Sequence, residues 1–73
     1  MTELGLFLSK RSVNKAEIAR RTGISKSRLT QLSNNDSTIL AAEELYKIAL
    51  SIEVPPCELL TFIFNEVKLT GKQ

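Results

Sequence analysis

The stretch from Lys15 to Leu32, KAEIARRTGISKSRLTQL, constrains the fold more than any other part of the chain. It holds two helix starts with one helix stop between them. Asn14 is an N-cap residue and Glu17 stands at N3, the spacing of a capping box. Val13 and Ile18 then sit where a hydrophobic staple forms. Gly23 falls at C′, where the backbone turns left-handed and only glycine does so cheaply. Ser25 caps a second helix, and Ile24 with Leu29 repeats the staple. Only Gly23, Ile24 and Ser25 separate the two helices, so they must meet at a steep angle.

Helical spacing recurs in the rest of the chain, and no segment alternates in hairpin fashion. Helix one is expected over 3–10, with Thr2 as N-cap and Leu4, Phe7, Leu8 and Arg11 in one stripe. The pair of short helices spans 15–22 and 26–32. Residues 34–38 form a loop. Helix four is expected over 40–52, with Leu45, Ile48, Ala49 and Ile52 inward. Helix five starts at Pro56, a residue suited to N1, with Glu58 at N3 and a Val54–Leu59 staple. It is expected to end near Val67 or Lys68. The fold class is therefore all-α, one five-helix domain over 1–73 with its central motif at 14–32.

Composition narrows the chemistry. The chain has 73 residues, no histidine, and Cys57 as its one cysteine. A domain this short has a small core. An internal disulfide and a cysteine-based zinc cluster are excluded. No paired carboxylates, nucleophile–base pair or phosphate loop is recognisable, so an enzyme is a poor reading and no cofactor or metal is expected. The apolar patch Leu4, Leu6, Phe7, Leu8 follows Glu3 and is too short for a signal peptide, and nothing reaches the length of a membrane span. A reduced cytoplasmic setting, at the nucleoid, is expected. Cys57 is expected to be a buried small hydrophobe, and Tyr46 to cap the core.

Charge is unevenly placed. Residues 10–31 hold Lys10, Arg11, Lys15, Arg20, Arg21, Lys26 and Arg28 against Glu17 alone, a local charge of +6 in a chain of net +2. The remainder is acidic. A solvated face and a footprint for a polyanion both fit this pattern.

A helix-turn-helix that reads double-stranded DNA needs a small residue where its helices touch, a glycine in the turn and a continuous apolar underside. Ala19, Gly23, and Ile18, Ile24, Leu29 and Leu32 meet those demands. At about 100° per residue, Ser27, Thr30 and Gln31 lie opposite Leu29 and Leu32, with Lys26 at the N-terminal edge. These four are the candidate base contacts. Gln31 suits adenine, Lys26 guanine, and Thr30 a thymine methyl. Lys15, Ser25, Arg28, Asn34 and Asn35 are candidate phosphate contacts, which fix register without reading sequence. Asn35 reads equally as a left-handed turn residue, and at least one of Arg20 and Arg21 as merely solvated.

On EIARRTGIS, SRLTQL and LYKIALSIEVPPCELL, the chain resembles the Cro and phage-repressor-like (XRE-type) helix-turn-helix family, over about Leu4 to Leu60. The resemblance implies a phage-repressor-like five-helix domain, a dimer and transcriptional control. It also selects Lys26, Ser27 and Gln31 as reading positions. Ser33 and Asn35 stand where relatives carry glutamate and glycine, and Glu53 stands where they carry glycine. In many relatives that glutamate pairs with an arginine matching Arg11, so the pair is lost here unless Asp36 replaces it.

Helix five carries Leu59, Leu60, Phe62, Ile63, Phe64 and Val67 over roughly 200°, twice the arc of a one-sided helix. Leu60, Phe62, Ile63, Phe64 and Val67 are the candidate interface of a homodimer, the dimerisation helix being placed at 56–68. Packing against helix one is the competing use of that face. The alternative function is a DNA-binding antitoxin or other interaction module whose helix five binds a different protein. No small-molecule ligand is evident.

Overall fold

A computed structural model describes residues 1–70. Five helices follow one another: α1 (Glu3–Lys10), α2 (Lys15–Thr22), α3 (Lys26–Asn34), α4 (Ala42–Ser51) and α5 (Pro56–Ile63). No strand occurs among the described residues. The fold is all-α, as the helical spacing predicts.

The core is one cluster drawn from every helix. Leu4, Phe7 and Leu8 of α1 meet Ile18, Leu29, Leu32, Leu45, Ile48, Ala49, Val54 and Leu59. Leu29, Ile48 and Leu59 have no exposed surface, so each contributes about 1.5–3 kcal/mol of burial. Helix α1 packs on α3 and α5, and α4 packs on α2 and α5.

Three helices end on a left-handed residue, and only one of the three is glycine. Gly23 has φ 79° and donates its N–H to the Ala19 carbonyl at 2.9 Å. Ser12 has φ 55°, and Glu53 has φ 60°. Both belong to Schellman motifs. Ser12 N–H donates to Ser9 O and Val13 N–H to Leu8 O; Glu53 N–H donates to Leu50 O and Val54 N–H to Ala49 O. A left-handed L-residue costs roughly 1–2 kcal/mol, against about 0.5–1 kcal/mol of extra chain entropy for glycine. Glu53→Gly is therefore expected to raise stability by about 0.5–1 kcal/mol, read as a higher urea midpoint. A lower midpoint would show that the Glu53 side chain holds more than its backbone loses.

Several boundaries depart from the local pattern. Helix α3 runs on to Asn34 because the N-terminus serves its last carbonyls. Thr2 Oγ1 donates to Leu32 O at 2.6 Å and Thr2 N–H to Ser33 O at 2.8 Å. Helix α4 starts at Ala42, later than Leu40. Ala41 has no side-chain acceptor, so the cap is one-sided: its N–H donates to the Glu44 carboxylate at 3.0 Å. Helix α5 stops at Ile63, short of Val67. Asn65 Nδ2 donates to the Phe62 carbonyl at 3.0 Å, taking a partner from the next turn. Residues 64–66 form a turn.

Three side chains are not where the sequence places them. Cys57 is exposed rather than buried. Tyr46 stands more than half exposed and does not cap the core. Phe62 and Ile63, offered as interface residues, are half-buried against the core. Phe62 meets Phe7 edge-to-face, with ring centroids 5.0 Å apart. The competing use of the α5 face, packing on α1, thus takes these two residues. Leu60, Phe64 and Val67 remain exposed, Val67 beyond the helix end.

Candidate nucleic-acid interface

The caps fix where α2 and α3 begin. Asn14 Oδ1 accepts from Ala16 N–H at 2.8 Å and from Glu17 N–H at 3.4 Å. The reciprocal half of the expected capping box is absent, because the Glu17 carboxylate turns to Arg20 and Arg21. The hydrogen bond from Arg20 holds Glu17 below the ordinary carboxylate range. After the Gly23 bend, Ser25 Oγ accepts from Arg28 N–H at 3.1 Å and starts α3. Thr22 Oγ1 braces the bend, donating to Ile18 O at 2.7 Å and accepting from Ile24 N–H at 3.1 Å.

With Leu29 and Leu32 inward, Lys26, Ser27, Thr30 and Gln31 all lie exposed on α3. They project into solvent on the side away from the core, the arrangement a groove-reading helix requires. Lys15 and Asn34 are brought together as well. Both line a shallow cavity of about 240 Å³ between the ends of α1 and α3, beside Ser9, Ser12 and Ser33. Ser25 lies exposed next to Lys26.

Two candidates for phosphate contact also make hydrogen bonds within the chain. The Arg28 guanidinium donates to both oxygens of Glu44, at 2.9 and 3.0 Å, and to the Ile39 carbonyl at 2.8 Å. It clamps α3 to α4 at the surface of the fold. Asn35 is extended, with φ −111°, and not left-handed. Its Oδ1 accepts from Ser37 N–H at 3.0 Å and from Ser37 Oγ–H at 2.7 Å, closing the loop that follows α3.

The other arginines are similarly committed. Arg11 pairs with Glu58 at 3.4 Å and stacks 4.9 Å above the Phe7 ring. Asp36 is therefore not its partner. Arg21 caps the end of α4 by donating to Ser51 O at 2.9 Å, so neither Arg20 nor Arg21 is merely solvated. Lys10 lies 6.0 Å from the centroid of Phe62. Of the seven basic residues in the band, Lys15 and Lys26 are left with neither ion pair nor aromatic partner among the described residues.

Those two lysines are the first residues of α2 and α3. A cation at a helix N-terminus opposes the helix dipole and costs about 0.3–1 kcal/mol at an exposed site. Bound polyanion removes that penalty and adds the attraction of the N-terminal amides. The positions are poor for stability and good for holding a phosphate backbone. A sequence reading of total charge misses this, because four arginines in the band serve the scaffold.

The Arg28–Glu44 pair sets a pH dependence. The hydrogen bond from Arg28 lowers the Glu44 pKa, more than burial raises it, and raises that of Arg28. A depressed carboxylate stabilises the fold above its ordinary range and loses that contribution as pH falls through its native value. Glu44→Gln is expected to melt lower than the parent at pH 7, with the gap closing toward pH 3. A gap that stays constant with pH would contradict the clamp.

No helix among the described residues is long and apolar enough to cross a membrane. The model of the Cro/C1-type HTH DNA-binding domain family matches residues 3–65. No curated protein and no solved structure gave a match.

Proposed function

The chain belongs to the Cro/C1-type HTH DNA-binding domain family, and on that footing we propose that it is a sequence-specific transcriptional repressor. It binds a near-palindromic operator as a homodimer, with α3 of each copy in the major groove. Lys26, Ser27, Thr30 and Gln31 meet base edges. Lys15, Ser25 and Asn34 hold the backbone, and Arg28 and Asn35 support the scaffold.

One observation carries this reading. The two unpaired lysines of the basic band begin the two helices of the motif, and the exposed polar tips of α3 continue from the second of them. A two-fold dimer would place the reading helices about 34–36 Å apart, one turn of duplex. Exposed Leu60, Phe64 and Val67 favour an apolar contact between copies. Repression follows when the occupied operator overlaps a promoter.

Selection of bound duplexes from a random pool tests the proposal. The expected product is an inverted repeat with half-sites about 10 base pairs apart. Binding that enriches no motif would reject sequence-specific regulation.

A further inference from the structure

A groove of about 350 Å³ opens beside the end of α5. Its walls are apolar: Leu4, Leu32, Leu40, Ile39, Ile63 and Phe64. Glu3 and Asp36 stand at its rim, and neither takes part in an ion pair among the described residues. The tail that follows α5 starts at the lip of this groove, since Phe64 both lines it and ends the helix. The tail carries Val67 and Leu69, exposed at 69% and 79%, with Lys68 between them. The turn at 64–66 is closed by Val67 N–H donating to Phe64 O at 3.0 Å, and residues 67–69 lie outside any helix.

We infer that this groove receives the tail of a second copy. Val67 and Leu69 enter the apolar walls while Lys68 meets Glu3 and Asp36 at the rim. The inference rests on the homodimer reading above and names the surface that makes the dimer. Charge and shape both support this occupant. The groove is apolar with an acidic rim, and the tail is apolar with a basic residue in its middle. One surface holds both the receptor and the insert, which a two-fold contact requires: each copy gives its tail and accepts the other's. Ile39 and Phe64, exposed at 81% and 41% on the groove walls, are covered by the same exchange.

The experiment measures dimer dissociation by sedimentation for the full chain and four variants. All the altered residues are exposed, and circular dichroism confirms that each variant keeps its helices. Leu69→Asp is expected to weaken the dimer at least ~10-fold, as loss of an apolar anchor does. Lys68→Glu is expected to weaken it about 2–5-fold, and adding Asp36→Lys to that change is expected to restore it. Leu60→Asp, on the outer face of α5, separates the possibilities. A dimer lost with Leu60→Asp but untouched by Leu69→Asp overturns the tail exchange and leaves the homodimer standing. A parent chain that stays monomeric at high concentration overturns both, including the case in which each tail folds into its own groove.

Discussion

Gly5→Ala is expected to remove most of the domain's stability, although the same change in an open helix stabilises by about 1 kcal/mol. The difference lies in what faces Gly5. A Cβ there would overlap the Ser33 carbonyl oxygen and lie 2.9 Å from Met1 Cγ. The Met1 side chain can swing away, but the Ser33 carbonyl is fixed by the Thr2 N–H, and the adjoining Leu32 carbonyl by the Thr2 hydroxyl. Thr2 also caps α1 by accepting from Gly5 N–H at 3.0 Å. Moving α1 off α3 would therefore break a joint at which three hydrogen bonds meet. Overpacking costs about 1–3 kcal/mol and each hydrogen bond about 1 kcal/mol. A chain of this length has only about 4–11 kcal/mol in total. Urea unfolding reads the loss. An alanine variant as stable as the parent would mean that α1 and α3 do not approach this closely.

Replacing Lys26 and Gln31 together by alanine is expected to remove most of the sequence preference while leaving the fold at least as stable. Both side chains are exposed and touch nothing in the core. Each good base contact is worth roughly 1–3 kcal/mol of discrimination, so the pair amounts to about 30- to 10⁴-fold per half-site. Losing Lys26 also relieves a cation at the N-terminus of α3 and should raise the melting temperature slightly. Loss of specificity with a gain in stability is a signature that a damaged scaffold does not give. Competition between the selected duplex and a scrambled one measures the first, and thermal melting the second. An unchanged ratio would place the reading face elsewhere on the molecule.

What was legible in the sequence was what is encoded within one turn of chain. Thr2, Asn14, Ser25 and Gly23 each act on residues two to four positions away, and the bounds of α1 and α2 follow from them directly. The polar face of α3 was legible for the same reason, because Leu29 and Leu32 fix its orientation. Features that depend on distant residues were not. The Arg28–Glu44 pair is hidden from a local reading because its two members lie in different helices. Arg11 looked unpaired because Glu58 is further still along the chain. The end of α3 moved to Asn34 because Thr2 supplies its hydrogen bonds from the far end of the chain. Gly5 had a visible signal, a glycine inside a helical pattern, which marks either a cost or a close approach. The start of α4 and the end of α5 escape the sequence because apolar spacing extends over Leu40, Phe64 and Val67, where the backbone is not helical.

If α3 offers its exposed polar edge to DNA, an NMR titration of the labelled chain with a selected duplex registers it residue by residue. Shift changes are expected to gather at Lys26, Ser27, Thr30 and Gln31, with a second group around Lys15 and Asn34. Changes centred instead on Tyr46 and Leu50 of α4, with α3 unmoved, would contradict it.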